Sequence, residues 1–359
     1  MTQYGSAERS LPEPDMPGAF SPMERLLRKL NKKNTERPPV ICPGGMMNAA
    51  IVEVMEKGGH TLPEAHHEGG LMAGLAEDVQ AFTGFENYGV PFCMTVEPEA
   101  LGSAINYGSL TCEPKIDKEK FSHVRDVEFA LPGTVAESAR GAAVLEAVNL
   151  LSRGHSDIPV IGSITGPVSS AASLVDPMTF FKELYRDREN AHRLLSYVTG
   201  QLIDWALSVA ESGASVLSIA DPTATGEILG PRLFEEYALP YLNQIIRAAH
   251  KTGKPVIVHI CGDVGRVKQH LYRLESDALS VDAMVSLALI KKENPAVTTM
   301  GNLSTYLLES GDPERVEKAA AILLDKEIDI IAPACGLSTS SPLKNIQVFT
   351  ATVKERANA

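Results

Sequence analysis

The 359-residue chain is expected to fold as a closed (β/α)8 barrel, an α/β architecture with parallel strands inside and helices outside. Three observations predict it. Eight short apolar runs alternate with helix-period stretches, and that alternation implies parallel pairing. No Gly-x-Gly-x-x-Gly turn follows the first run, which weighs against the runner-up, an open doubly wound sheet. Most of the runs end in polar or metal-binding side chains, at the strand ends where such a barrel builds its active site. The organisation expected is an N-terminal arm over residues 1–21 and one barrel domain over 22–359, with an insertion after the second strand.

The arm is polar and proline-rich, with no apolar stretch of the secretory kind. Ser21 then reads as the N-cap of a basic amphipathic helix, with Pro22 in its first turn and an end near Asn34. The candidate strands are 39–42, 89–96, 158–163, 215–220, 255–260, 278–281, 297–300 and 328–332. Helical periods fall at 46–57, 70–83, 133–153, 177–212, 231–252, 264–275 and 312–326. Residues 97–132 fit neither pattern. With Gly102, Gly108 and Pro114 they read as an irregular excursion over the barrel mouth.

Bulk properties narrow the function. Apolar residues make up 44% and charged residues 22%, as in a soluble enzyme. The net charge of −12 disfavours nucleic acid, whose phosphates need clustered Lys and Arg. No apolar run is long enough to span a membrane. Five cysteines, an odd number without an export signal, point to a reducing cytoplasm and away from a disulfide framework. For oligomeric state a homodimer is the default expectation.

His259 and Cys261 end the fifth run two residues apart, so period-two alternation places both on one face of the strand. Cys335 ends the eighth run. One nitrogen and two sulfurs suit zinc, and three protein ligands leave a fourth position for chemistry. The other thiols are read more plainly: Cys93 and Cys112 as core, Cys42 as core or site. Asp221, before a proline at the fourth strand end, is either turn chemistry or an acid that orients a ligand, moves a proton or serves as a labile fourth ligand. Glu64, His66 and His67 form a loop or cap, with His66 the imidazole assigned to the site. Gly44 and Gly45 let the backbone approach a ligand, and Met46 and Met47 would form a soft wall over it, next to Asn48. Asp282 and Asn302, at the sixth and seventh strand ends, complete the candidate substrate contacts.

His259-Ile-Cys261-Gly and Ala332-Pro-Ala-Cys335-Gly, followed by Pro342-Leu-Lys-Asn345, resemble the zinc motifs of the cobamide-dependent methyltransferases of the uroporphyrinogen decarboxylase superfamily. Ser21-Pro-Met-Glu-Arg25, Leu62-Pro-Glu-Ala-His66, Glu99-Ala-Leu-Gly102, Ile164-Thr-Gly-Pro167, Ala220-Asp-Pro222 and Gly301-Asn302 extend the resemblance over about residues 21–355. The decarboxylase branch lacks this His-x-Cys…Cys set. The resemblance implies zinc on His259, Cys261 and Cys335, and a separate corrinoid protein docked at the barrel mouth. Methyl would pass between cobalt and a small-molecule donor or acceptor held at the zinc.

Two directions follow. Zinc could activate a thiol such as coenzyme M toward methyl-Co(III). Alternatively it could polarise the oxygen of an aryl methyl ether while Co(I) removes the methyl. Cys42-Pro-Gly-Gly-Met-Met-Asn48 resembles the aryl methyl ether demethylases, so a methoxyaromatic donor is the favoured expectation. A non-catalytic zinc- or corrinoid-binding accessory protein is the alternative of another class. The intact ligand set argues against it, as does the lack of an Asp-x-His-x-x-Gly cobamide motif.

Overall fold

A computed structural model describes residues 20–356. Ser21 starts the first helix, Pro22–Leu30, through a capping box: its side chain accepts from Glu24 N while Glu24 returns to the Ser21 N–H. The helix stops short of the expected Asn34, with Asn31 as its C-cap. Its Leu26 and Leu30 join Ile41, Ile161, Val216, Ile257, Ala278, Met300 and Ile330 in a core inside the barrel. Met23 N donates to Asp157 O, just before the strand that begins at Val160, so the helix sits at the end opposite the mouth.

Strands follow in chain order. β1 is Tyr88–Val90; β2 (Ala104–Asn106) and β3 (Lys115–Lys118) form a separate antiparallel hairpin. β4 is Val160–Thr165, β5 Val216–Ala220, β6 Val256–Ile260, β7 Ala278–Val281 and β8 Thr299–Met300. The main sheet is parallel in the order β1-β4-β5-β6-β7-β8. A second, larger core lies between these strands and the surrounding helices.

The first and last expected strands, 39–42 and 328–332, are not regular strands. Ile330 bridges to Met300 and Ile331 to Val40, and Glu86 N donates to Val40 O, so the ring closes through single bridges. Prolines explain this: Pro39 opens one segment, Pro38 and Pro43 flank it, Pro333 follows the other, and none can donate to a ladder. Asn87 makes up the deficit, accepting from Cys42 N at 2.8 Å and donating to Cys42 O at 2.9 Å. The expected strand 89–96 is likewise cut by Pro91, and Val96 opens a helix.

Helical expectations divide as well: 46–57 is helical only from Val52, 133–153 becomes Thr134–Glu137 and Ala139–Gly154, and 264–275 shortens to Gly265–Val267 and Lys268–Leu271. Residues 177–212 become Pro177–Arg186 and Arg188–Glu211. Within 231–252 a π-helical turn, Phe234–Ala238, precedes Leu239–His250. Pro240 accounts for the turn, since it lacks the donor that would bond the carbonyl of Glu236. The excursion 97–132, expected to be irregular, contains the β2–β3 hairpin. Its tip is tied to the barrel by Asn48 Nδ2 donating to Glu113 Oε1 at 3.2 Å and Thr339 Oγ1 donating to Thr111 O at 3.0 Å. Among the described residues no helix is long and apolar enough to cross a membrane.

Candidate metal centre and active site

The strand register builds the centre. Ala220, His259 and Ser280 lie side by side on β5, β6 and β7. His259 is fully buried; its Nδ1 lies 2.9 Å from Ser280 Oγ, and its Nε2 has no partner. With Nδ1–H donating to Ser280, Nε2 carries a lone pair. The ligand atoms of His259, Cys261 and Cys335 all lie within 4.8 Å of one another. The sulfurs are 3.3 Å apart. Their mutual hydrogen bond, with burial, pushes Cys261 up, whereas accepting that bond holds Cys335 down. Two such thiols resist losing both protons unless a cation sits between them. A buried, unpartnered imidazole nitrogen facing two thiols fits zinc, and among the described residues it is the group suited to a metal.

The carboxylate in contact with this cluster is Asp282, not Asp221. Asp282 Oδ2 lies 3.6 Å from Cys261 Sγ and also accepts from Gly262 N at 3.4 Å. Asn302 donates to Asp282 O and Val285 O, at 2.7 and 2.8 Å, and so holds the Asp282 loop. Asp221 is fully buried and turned onto the start of the helix Pro167–Ala172. It accepts there from Val168 N, Ser169 N and Ser169 Oγ, the last at 2.6 Å. Burial raises its pKa to about 6 against these hydrogen bonds.

The first-strand segment differs from expectation. Met47 is no wall of the mouth: it is buried among Ile41, Met300 and Ala332, with Ser280 Oγ 3.9 Å from its sulfur. Gly44 and Gly45, both in the left-handed region, answer to the fold. A Cβ on Gly44 would lie 2.6 Å from the Gly89 carbonyl carbon, and one on Gly45 would lie 2.7 Å from Ser163 Cβ. Met46 does reach the mouth. Asn48 is buried, with its amide on Gly45 O and Glu113.

His66 lies outside the thiol cluster. It is fully buried, with neither ring nitrogen partnered, and burial followed by the charge of Arg140 lowers its pKa to about 3. Glu64 accepts from Thr61, and the His67 ring packs edge-on against Tyr107. Cys42 is core, donating to Met47 O at 3.0 Å, and burial pushes its thiol far up. Cys93 is core, as expected, and its sulfur also accepts from Arg140 at 2.8 Å and Thr95 at 3.3 Å. Cys112, expected in the core, is exposed on the hairpin.

A cavity of about 670 Å³ opens beside Cys335, lined among others by Met46, Thr111, Glu113, Lys115 and Glu309. Glu113 was not visible in the sequence, because nothing local signals that a hairpin folds back on the mouth. As a whole the residue is exposed, but its carboxyl group is tucked against Asn48, and burial raises its pKa. Ser280 was legible only as a strand-end hydroxyl; the register makes it the partner of His259.

Fold and site together define an α/β-barrel enzyme with a soft-donor centre at the C-terminal mouth of its strands. The uroporphyrinogen decarboxylase (URO-D) family profile matches residues 21–356. A methylcobamide:CoM methyltransferase (MtbA) of Methanosarcina acetivorans is 32% identical over 91% of this chain and 96% of its own. A methylcobamide:CoM methyltransferase (MtaA) of Methanosarcina barkeri is 30% identical over 92% and 97%. The solved structure of a methyltransferase from Methanosarcina mazei superposes with a TM-score of 0.87 at 28% identity, covering 94% of this chain and 99% of its own. The chain belongs to the uroporphyrinogen decarboxylase family, and within it to the methyltransferases.

Proposed function

We propose that this chain moves a methyl group from a methylated corrinoid, delivered by a separate protein, to a small thiol held at a metal on His259, Cys261 and Cys335. The observation that carries the reading is the unpartnered Nε2 of His259 facing two thiols at the barrel mouth. Zinc bound there would lower the pKa of the incoming thiol. Ser280 fixes the imidazole so that Nε2 faces inward. Asp282, held by Asn302, lies beside Cys261 and is the nearby acceptor for the thiol proton. The thiolate attacks the methyl carbon, a C–S bond forms, and the Co–C pair stays on cobalt as Co(I).

The thiol direction is preferred to ether demethylation on two grounds. The relatives named above transfer methyl to CoM. The apolar wall expected for an arene loses Met47 to the core and the two glycines to close packing against Gly89 and Ser163. The test is anaerobic transfer from methylcobalamin to thiols, followed by cob(I)alamin absorbance, beside metal analysis of the wild type, Cys261→Ala and Cys335→Ala. Stoichiometric zinc and thiol methylation, both lost in the variants, are expected. Methylcobalamin formation from methoxyaromatics and cob(I)alamin, without thiol methylation, would overturn the reading.

A further inference from the structure

The cavity beside Cys335 has a charge pattern that bears on which thiol fits it. Glu113 and Glu309 both line it, and among its described lining residues Lys115 is the single lysine or arginine. Asp282 stands behind, against Cys261. Glu309 is held as an ionised acceptor, with both Ser338 and Ser340 hydroxyls donating to its Oε1 at 2.8 Å. Those hydroxyls lower its pKa, the Ser340 bond most. Arg140, the guanidinium near His66, is committed to Glu99, Thr95 and Cys93. Two lining carboxylates against one lysine leave the cavity wall negative, and two thiolates would already cancel the charge of a divalent ion.

An anionic tail would meet repulsion in such a cavity, whereas a cation would be drawn in. A cation beside Glu113 would also offset the burial that raises its pKa. Coenzyme M, the acceptor in the relatives' names, carries a sulfonate. On the thiol reading above, we infer that the acceptor of this chain is an aminothiol, a small thiol bearing a protonated amine, and not a sulfonate.

The experiment compares kcat/KM for 2-aminoethanethiol, 2-sulfanylethanol and 2-sulfanylethanesulfonate, with methylcobalamin as donor. The amine should rank first and the sulfonate last. The thiols differ in intrinsic acidity, so the deciding quantity is how the amine-to-sulfonate ratio changes in Glu113→Gln/Glu309→Gln. That ratio should fall about tenfold, and a general loss of activity cancels from it. A sulfonate that ranks first, or a ratio that does not move, overturns the inference and leaves thiol transfer standing. Transfer to none of the three overturns the thiol reading itself.

Discussion

At the scale of single residues, the centre depends on a relay that no motif spells out. Met47 sulfur lies against Ser280 Oγ, which holds His259 Nδ1, which in turn leaves Nε2 free. Losing such a support typically weakens metal binding 10–100-fold. Ser280→Ala should therefore lower zinc affinity by about that factor in competition with a chromogenic chelator; unchanged affinity would remove Ser280 from the centre. Of the three candidate ligands, His259 and Cys261 were legible because alternation along a strand is a local rule, and Cys335 because it ends an apolar run. Met47 was misread because two left-handed glycines precede it and turn the chain back into the barrel. Glu113 was hidden because its position depends on a hairpin that folds across from elsewhere.

At the scale of elements, the apolar runs located the strand positions, and prolines decided which of them became regular strands. Alternation could not foresee that Asn87 would stand in for a backbone partner. Asp221 shows the same blending of turn and site. It caps the helix Pro167–Ala172 from the end of β5, next to the strand that carries His259. Its folded pKa of about 6 lies above the ordinary 3.8, so the folded state prefers the protonated acid. The resulting stability is fully present below pH 3.8 and is lost as pH rises through about 6, on the order of 3 kcal/mol across the window. In urea denaturation, Asp221→Asn should gain stability relative to the wild type between pH 4 and pH 7. A difference that stays flat with pH would contradict this.

At the scale of the whole molecule, the barrel is uneven around its circumference. β4 to β7 form continuous ladders, while the join between β8, residues 328–332, Val40 and β1 rests on single bridges. Ladder-poor regions open first. The amides of Ile41 and Ile331, which bond across this join, should exchange hydrogen faster than that of Val258 in metal-free protein. Zinc should slow the join more than β6; uniform protection would contradict the assignment. The reason lies in where the ligands stand. Cys261 follows the well-laddered β6, while Cys335 follows the bridged segment, 74 residues away. A metal shared by the two closes that interval like a clasp, and binding to the folded form alone deepens its stability with metal concentration. Zinc supply would then govern how long the molecule survives proteolysis, with the first cuts falling where the ring is least stitched.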